Sequence, residues 1–381
     1  MTTLLRASDS AGFLRIVPAL AGFTPRQSIV LLPFRGSRAY GAMRLDLPRD
    51  DVSLEEYADA AVGLALRVEG TDAVALVVYT DGEPHPTRDG LVLPFAVEVD
   101  ELLGCADDAG LRVVDALCVT PAGWASYLVD DPVVGALSDI DAVAVPTSGD
   151  GAADDETAGD VAGDQFAGTE LPAVDLAEKE RVASALLELT EMLCRDKCGT
   201  LTGRENPLAI AALVMLEDVP AFFESVLRTP DDLPPFATAA LLWCFDRPLF
   251  RDVAIAQWAT DLAGGMRTLG AQLAFAGTGS MVPDDLGQVF LGRGPAPDTD
   301  RLRVALSVVR HAAARAPRAS RTAPLTAAAW LSWALGRSSH AGRYLEMVRE
   351  IDPQYGLAAL LETMIGGALL PEWAFRRGPA R

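Results

Sequence analysis

Between Thr147 and Glu170 the chain carries seven acidic residues, no lysine or arginine, many glycines and alanines, and only Val161 and Phe166 as large apolar side chains. Ordering the backbone of such a stretch costs about 25–50 kcal/mol at ~1–2 kcal/mol per residue. Burying two large side chains returns only about 3–6 kcal/mol. The stretch cannot fold by itself, so the apolar sequence on either side of it must form separate cores. With 381 residues and 50% apolar content there is material for two of them. The expected division is an α/β domain over 1–146, an acidic disordered linker over 147–176 and a helical domain over 177–381. As a flexible coil the acidic stretch would span roughly 25–30 Å end to end.

In the first part the apolar residues change period several times. A helix is expected over Ala11–Leu20, then a strand over Ser28–Phe34, a hairpin loop at Arg35-Gly36-Ser37-Arg38 and a second strand over Ala39–Leu47, ended by Pro48. Ser53-x-x-Glu56 is a capping box that opens a helix, which Gly70 closes. The valine-rich run Ala73–Tyr79 fits a strand covered on both faces. A helix over Val97–Asp108 and strands over Leu111–Val119 and Trp124–Val129 complete the order β-β-α-β-α-β-β. Two crossover helices make the sheet mixed.

Beyond the acidic stretch the period becomes helical. Val182, Leu186, Leu189 and Leu193 form one apolar stripe. Further helices are expected over Pro207–Leu216, Val219–Leu227, Ala237–Cys244, Pro248–Leu262, Arg301–Ala316, Leu325–Leu335, Arg343–Ile351 and Tyr355–Leu361. The glycine- and proline-spotted stretch from Gly264 to Pro297 reads as only partly regular, and Leu325–Leu361 as a tetratricopeptide-like helical hairpin. The fold class is therefore α+β or α/β, with a mixed-sheet first domain and an all-helical second one.

The net charge of −21 argues against the whole molecule lying on nucleic acid or an anionic membrane. The charge is uneven, however: residues 301–381 hold twelve arginines against five acids. Arg301, Arg303, Arg310, Arg315, Arg318 and Arg321 have no acid among them, and this patch is the candidate nucleic-acid contact. The plainer reading is a helix face paired with the acidic remainder. Five scattered cysteines suit reduced core thiols, no apolar run approaches the ~18 residues a bilayer span needs, and a cytoplasmic location with no membrane contact is expected.

Val17-Pro18-Ala19-Leu20-Ala21-Gly22-Phe23-Thr24-Pro25, Gln27-Ser28-Ile29-Val30-Leu31, Arg44-Leu45-Asp46-Leu47-Pro48, Val77-Val78-Tyr79-Thr80-Asp81, Asp115-Ala116-Leu117 and Trp124-Ala125-Ser126-Tyr127-Leu128 follow one another along the chain. In that order they resemble an actinobacterial family known as domain of unknown function 4192. Trp330-Leu331-Ser332-Trp333-Ala334-Leu335-Gly336 and Ile351-Asp352-Pro353-Gln354-Tyr355-Gly356-Leu357-Ala358 look like the same family's tail. The resemblance implies no activity, no cofactor and no metal. Where family members carry cysteines after the Trp-x-Ser-Tyr-Leu segment, this chain has Asp130-Asp131-Pro132-Val133-Val134.

Asp46 and Asp81 each follow an expected strand. If those strands run in one direction, both carboxylates reach the C-terminal edge of the sheet, where open α/β sheets bind ligands. Arg44, Tyr79 and His85 belong to the same candidate ligand or partner surface, although strand-end Asp often merely caps a turn and a loop His between prolines is often inert. Ser126 lacks a nucleophile elbow, and Cys194 with Cys198 lacks further ligands in sequence. Gly277-Thr278-Gly279-Ser280 lacks the lysine of a phosphate loop. With no catalytic signature, the chain reads as a non-enzymatic interaction or regulatory protein with a protein partner. The alternative is an enzyme or small-ligand binder using the sheet edge.

Overall fold

The computed structural model describes residues 9–49, 52–88, 90–142, 163–195 and 205–375. It resolves into two compact units, residues 1–167 and 168–381. Residues 147–162 of the expected linker lie outside the described residues. Residues 163–170 are held by tertiary contacts: Thr24 bridges Asp164, and the buried Gln165 side chain accepts from Arg26 N at 3.1 Å and donates to Arg26 O at 2.9 Å. In the second unit, Thr169 is buried and Arg310 donates to the Glu170 carbonyl at 2.6 Å. Partner groups on the units thus order residues that have too little apolar surface to order themselves.

The first unit runs α1 (Ser10–Ala21), β1 (Ser28–Arg35), β2 (Arg38–Ala39), β3 (Met43–Asp46), α2 (Leu54–Leu66), β4 (Ala73–Tyr79), β5 (His85–Thr87), β6 (Gly90–Val92), α3 (Ala96–Asp108), β7 (Arg112–Thr120), β8 (Gly123–Ser126) and α4 (Leu137–Ala142). The main sheet has the order β2-β1-β4-β7-β8, with β3 also on β1; β5 and β6 form a separate ribbon. Only β4 and β7 pair in parallel, so the sheet is mixed. Because successive side chains alternate across a strand, Ile29, Leu31, Val74, Leu76 and Val78 pack on one face with Ala58 and Val62 of α2 and Val99 and Leu102 of α3. Val30, Leu32, Phe34, Ala75 and Val77 pack on the other face with Leu14 and Val17 of α1. Both faces are covered, which is why β1 and β4 read as unbroken apolar runs.

The second strand, expected as one piece over Ala39–Leu47, is split into β2 and β3. The cause is Pro33. Its carbonyl accepts from Tyr40 N at 2.9 Å, and a strand residue's N–H lies on the same side as its carbonyl, so the donor that proline lacks is missing just where residues 40–42 pass. His85, expected in a loop, instead lies on β5, opposite Val92.

The second unit is all helical: α5 (Leu176–Arg195), α6 (Pro207–Glu217), α7 (Val219–Ser225), α8 (Pro235–Phe245), α9 (Pro248–Ala259), α10 (Leu262–Thr278), α11 (Asp284–Gln288), α12 (Thr299–Arg315), α13 (Thr322–Ala334), α14 (Ser338–Arg349) and α15 (Gly356–Gly366). Every residue of α13 is buried. The core is aromatic, with Phe245 stacked on Trp258 at 5.9 Å and Trp330 beside Trp333 at 6.2 Å. The four indole N–H groups of this core end on carbonyls, for example Trp258 on Phe223 O at 3.0 Å and Trp333 on Leu369 O at 2.7 Å.

The stretch after Gly264 is more regular than its glycines suggest, because α10 runs through it to Thr278. Gly265 abuts α9 so closely that a Cβ there would lie 2.2 Å from Gln257 Oε1. The glycine serves helix contact rather than a loop. Gly279, at φ 71°, caps the C-terminus of α10. Gly277-Thr278-Gly279-Ser280 therefore sits at the end of a helix dipole that repels phosphate.

Candidate functional site

At one end of the sheet, β1 begins between the ends of β3 and β4: Ser28 faces Asp46 on one side and Tyr79 on the other. Both neighbours run antiparallel to β1, so Asp46 and Tyr79 share the C-terminal edge, and Asp81 lies two residues past β4. This is the arrangement that follows if the strands on either side of α2 run in one direction.

The carboxylates at this edge are already engaged. Asp46 Oδ1 accepts from Arg44 Nη2 at 2.5 Å, the arginine being 12% exposed and the carboxylate 68%. Asp81 accepts from the Gln27 side chain at 2.5 Å. Gln27 adopts φ 45°, a left-handed conformation that costs a side-chain-bearing residue of order 1 kcal/mol or more. The Tyr57 hydroxyl donates to the Asp46 carbonyl at 2.7 Å. Burial first, and then Asp46, pushes the Tyr57 phenol well above its ordinary range, and burial does the same to Tyr79. Both are neutral donors and neither is a base. Ser28 is fully buried and its hydroxyl has no hydrogen-bond partner.

His85 is exposed, and among the described residues no hydrogen bond or ion pair joins it to Asp46 or Asp81. The nearby depression, lined by Pro84, Leu93, Cys118, Trp124 and Val134, is open to solvent and encloses no room even for a water molecule, against roughly 300–1,000 Å³ for a typical ligand pocket. Burial pushes the thiol of Cys118 up to about 11 and that of Cys244 up to about 12, so neither is an activated thiolate. Ser126 serves its own strand end, donating to Ala116 O and accepting from Leu128 N. Among the described residues no three His, Cys, Asp or Glu side chains gather to hold a metal ion; Cys198 lies outside them. No described helix is long and apolar enough to cross a membrane.

The arginine-rich segment is tied inward. Arg301 makes a two-pronged contact with Glu224 at 2.7 and 2.6 Å, and Arg303 pairs with Asp300 at 2.6 Å. Arg310 bonds the Glu170 carbonyl, and Arg315 the carbonyls of Leu233 and Asp231. Arg318 and Arg321 bond the carbonyls of Glu350 and Ala316. Sequence reasoning anticipated pairing with acids; five of these seven partners are main-chain carbonyls, which composition does not reveal.

Residues 11–285 match the profile of a family described as Domain of unknown function (DUF4192). The chain belongs to this family. The DUF4192 match takes in the whole sheet edge and the helical unit as far as α11, and it stops short of the Trp330–Gly336 and Ile351–Ala358 motifs. No curated protein and no solved structure matches the chain. Membership in DUF4192 brings no activity with it.

Proposed function

We propose that the chain is a non-enzymatic protein-interaction module whose helical unit takes a protein partner. The observation that carries this reading is α6, apolar on every side, with only Ala209 and Ala212 buried. Leu208 is 63% exposed and Val214 58%, and Ile210 and Met215 are exposed beside them. A helix that is apolar all round belongs in a core, yet the described residues leave more than half of Leu208 and of Val214 uncovered. Met266 and Phe275 on α10, 60% and 55% exposed, extend the apolar surface the unit offers. Proteins that co-purify with the native chain should be lost from a Leu208→Asp/Val214→Asp variant whose melting temperature is unchanged. Reproducible retention of a small molecule with no protein partner would overturn the reading.

A second reading, ligand binding at the sheet edge, is favoured by Gln27 held at φ 45° beside a buried, unpartnered Ser28 hydroxyl. It requires a Ser28→Ala variant to lose a ligand-induced rise in melting temperature that the parent shows.

A further inference from the structure

One corner of the helical unit collects positive charge, and among the described residues no carboxylate bonds Arg310 or Arg337 there. Gly336, at φ 75°, turns the chain into α14, whose N-cap is Arg337 and whose first turn has no side-chain cap. Arg337, His340 and Tyr344 follow at i, i+3 and i+7 and so share one helix face. Tyr344 is fully buried and its hydroxyl has no hydrogen-bond partner. Side chains on a helix lean toward its N-terminus, which aims this phenol at the Arg337 end. Burial raises its proton affinity above the ordinary phenol range, Arg310 and Arg337 work against that, and Glu170 works with it.

Arg310 comes to the same place from α12. Its Nη2 holds the Glu170 carbonyl at 2.6 Å, while its Nε is buried without a partner. Arg303 adds further positive charge beside Arg337. Burial, and then Arg337 and Arg310, push His340 down to about 4 against the opposing effect of Glu170. At neutral pH the imidazole is uncharged among cations. Glu170, the nearby acid, is exposed and accepts from its own neighbour Gly168 N at 3.1 Å.

A buried hydroxyl and a buried guanidinium N–H left unpaired are each costly, and an uncapped helix N-terminus attracts anions. The donors on offer are Arg310 Nε, the Arg337 guanidinium, the His340 ring and the Tyr344 hydroxyl. They outnumber what one carboxylate can accept, and the carboxylate beside them does not engage them. We propose that Arg310, Arg337, His340 and Tyr344, with the N-terminus of α14, form a binding site for a phosphoryl group, free or on a small ester, with Glu170 as its internal competitor.

The chain has three histidines, His85, His311 and His340, so their imidazole resonances can be followed separately by NMR in the full-length protein. Titrating inorganic phosphate at pH 7, with chloride holding ionic strength constant, should shift His340 saturably, leave His85 unmoved and raise the pH midpoint of His340. Arg337→Gln should weaken binding at least tenfold, and Glu170→Gln should tighten it. Tyr344→Phe should weaken it severalfold with no loss of melting temperature, since the hydroxyl has no internal partner to lose. A parallel titration with phenyl phosphate separates the sources: equal affinity assigns small esters, and exclusion assigns free phosphate. The proposal is overturned if His340 shows no saturable shift, if chloride alone reproduces the shift, or if Arg337→Gln binds as the parent does.

Discussion

The sheet edge and the start of α12 settle their charges over very different distances along the chain. At the sheet edge, Arg44 neutralises Asp46 two residues away on the same strand. In the helical unit, Arg301 reaches Glu224 across 77 residues, and Arg251 bonds its neighbour Asp252 and also Tyr355. A strand places residues i and i+2 side by side, whereas helices meet only through tertiary packing. Charge pairing at the sheet edge is therefore local and exposed, whereas Arg301–Glu224 is distant and partly buried among local helix pairs such as Arg303–Asp300 and Arg343–Glu346, and at α14 the charge is left unbalanced.

The largest expected effect concerns the cores. Trp258→Ala removes a fully buried indole stacked on Phe245 and edge-on to Phe223, and it should cost about 3–5 kcal/mol. In calorimetry the helical transition should fall while the sheet transition stays put; a common shift would break the separation of units.

Acid should act next, and selectively. His340 binds its proton near pH 4 in the folded chain, against ~6.5 unfolded, so the unfolded state holds more protons between those values. Stability contributed by the neutral imidazole is complete above about pH 6.5 and is lost as pH falls toward 4; with the ring only partly buried, solvent screening holds this to about 1–2 kcal/mol. Arg337, Arg310 and Glu170 are the charges that face it. Denaturation between pH 7 and 4.5 should show this slope in the helical unit and not in His340→Gln.

Glu224→Ala strands the partly buried Arg301, whose side chain is 20% exposed, and should cost about 1–3 kcal/mol in urea unfolding. The Arg301 bonds hold the Glu224 carboxyl below its usual range, so their contribution is present above about pH 4.5 and fades below it. By contrast, Asp46→Asn breaks a pair whose carboxylate is 68% exposed and should cost less than about 1 kcal/mol, falling further in salt. If the two substitutions proved equal, the contrast between local and distant pairing would fail.

The legible parts of the fold are those encoded within one turn or one strand. The Ser53 hydroxyl accepts from Glu56 N at 3.1 Å, as the capping box requires. Val182 and Leu189 are fully buried on the expected stripe of α5. The placement of Asp46 and Asp81 at one sheet edge depended on the strands flanking α2 running in one direction, and both run antiparallel to β1. The partners of those carboxylates, Arg44 and Gln27, could not be read that way, since several orientations satisfy the same strand. The split at Tyr40–Ala42 depends on which side of β1 the Pro33 nitrogen faces. The glycines of α10 resembled a loop because α9, against which they pack, is invisible in their own composition.

Taken alone, the sequence determined where cores can and cannot form, because apolar periodicity and the acidic gap act through local chain entropy and burial. It determined the mixed sheet and the helical remainder for the same reason. Tertiary structure alone decided which charges meet: Arg310, Arg337 and Tyr344 come together only because α12 and α14 pack in one unit, and electrostatic energy depends on distance in space rather than distance along the chain.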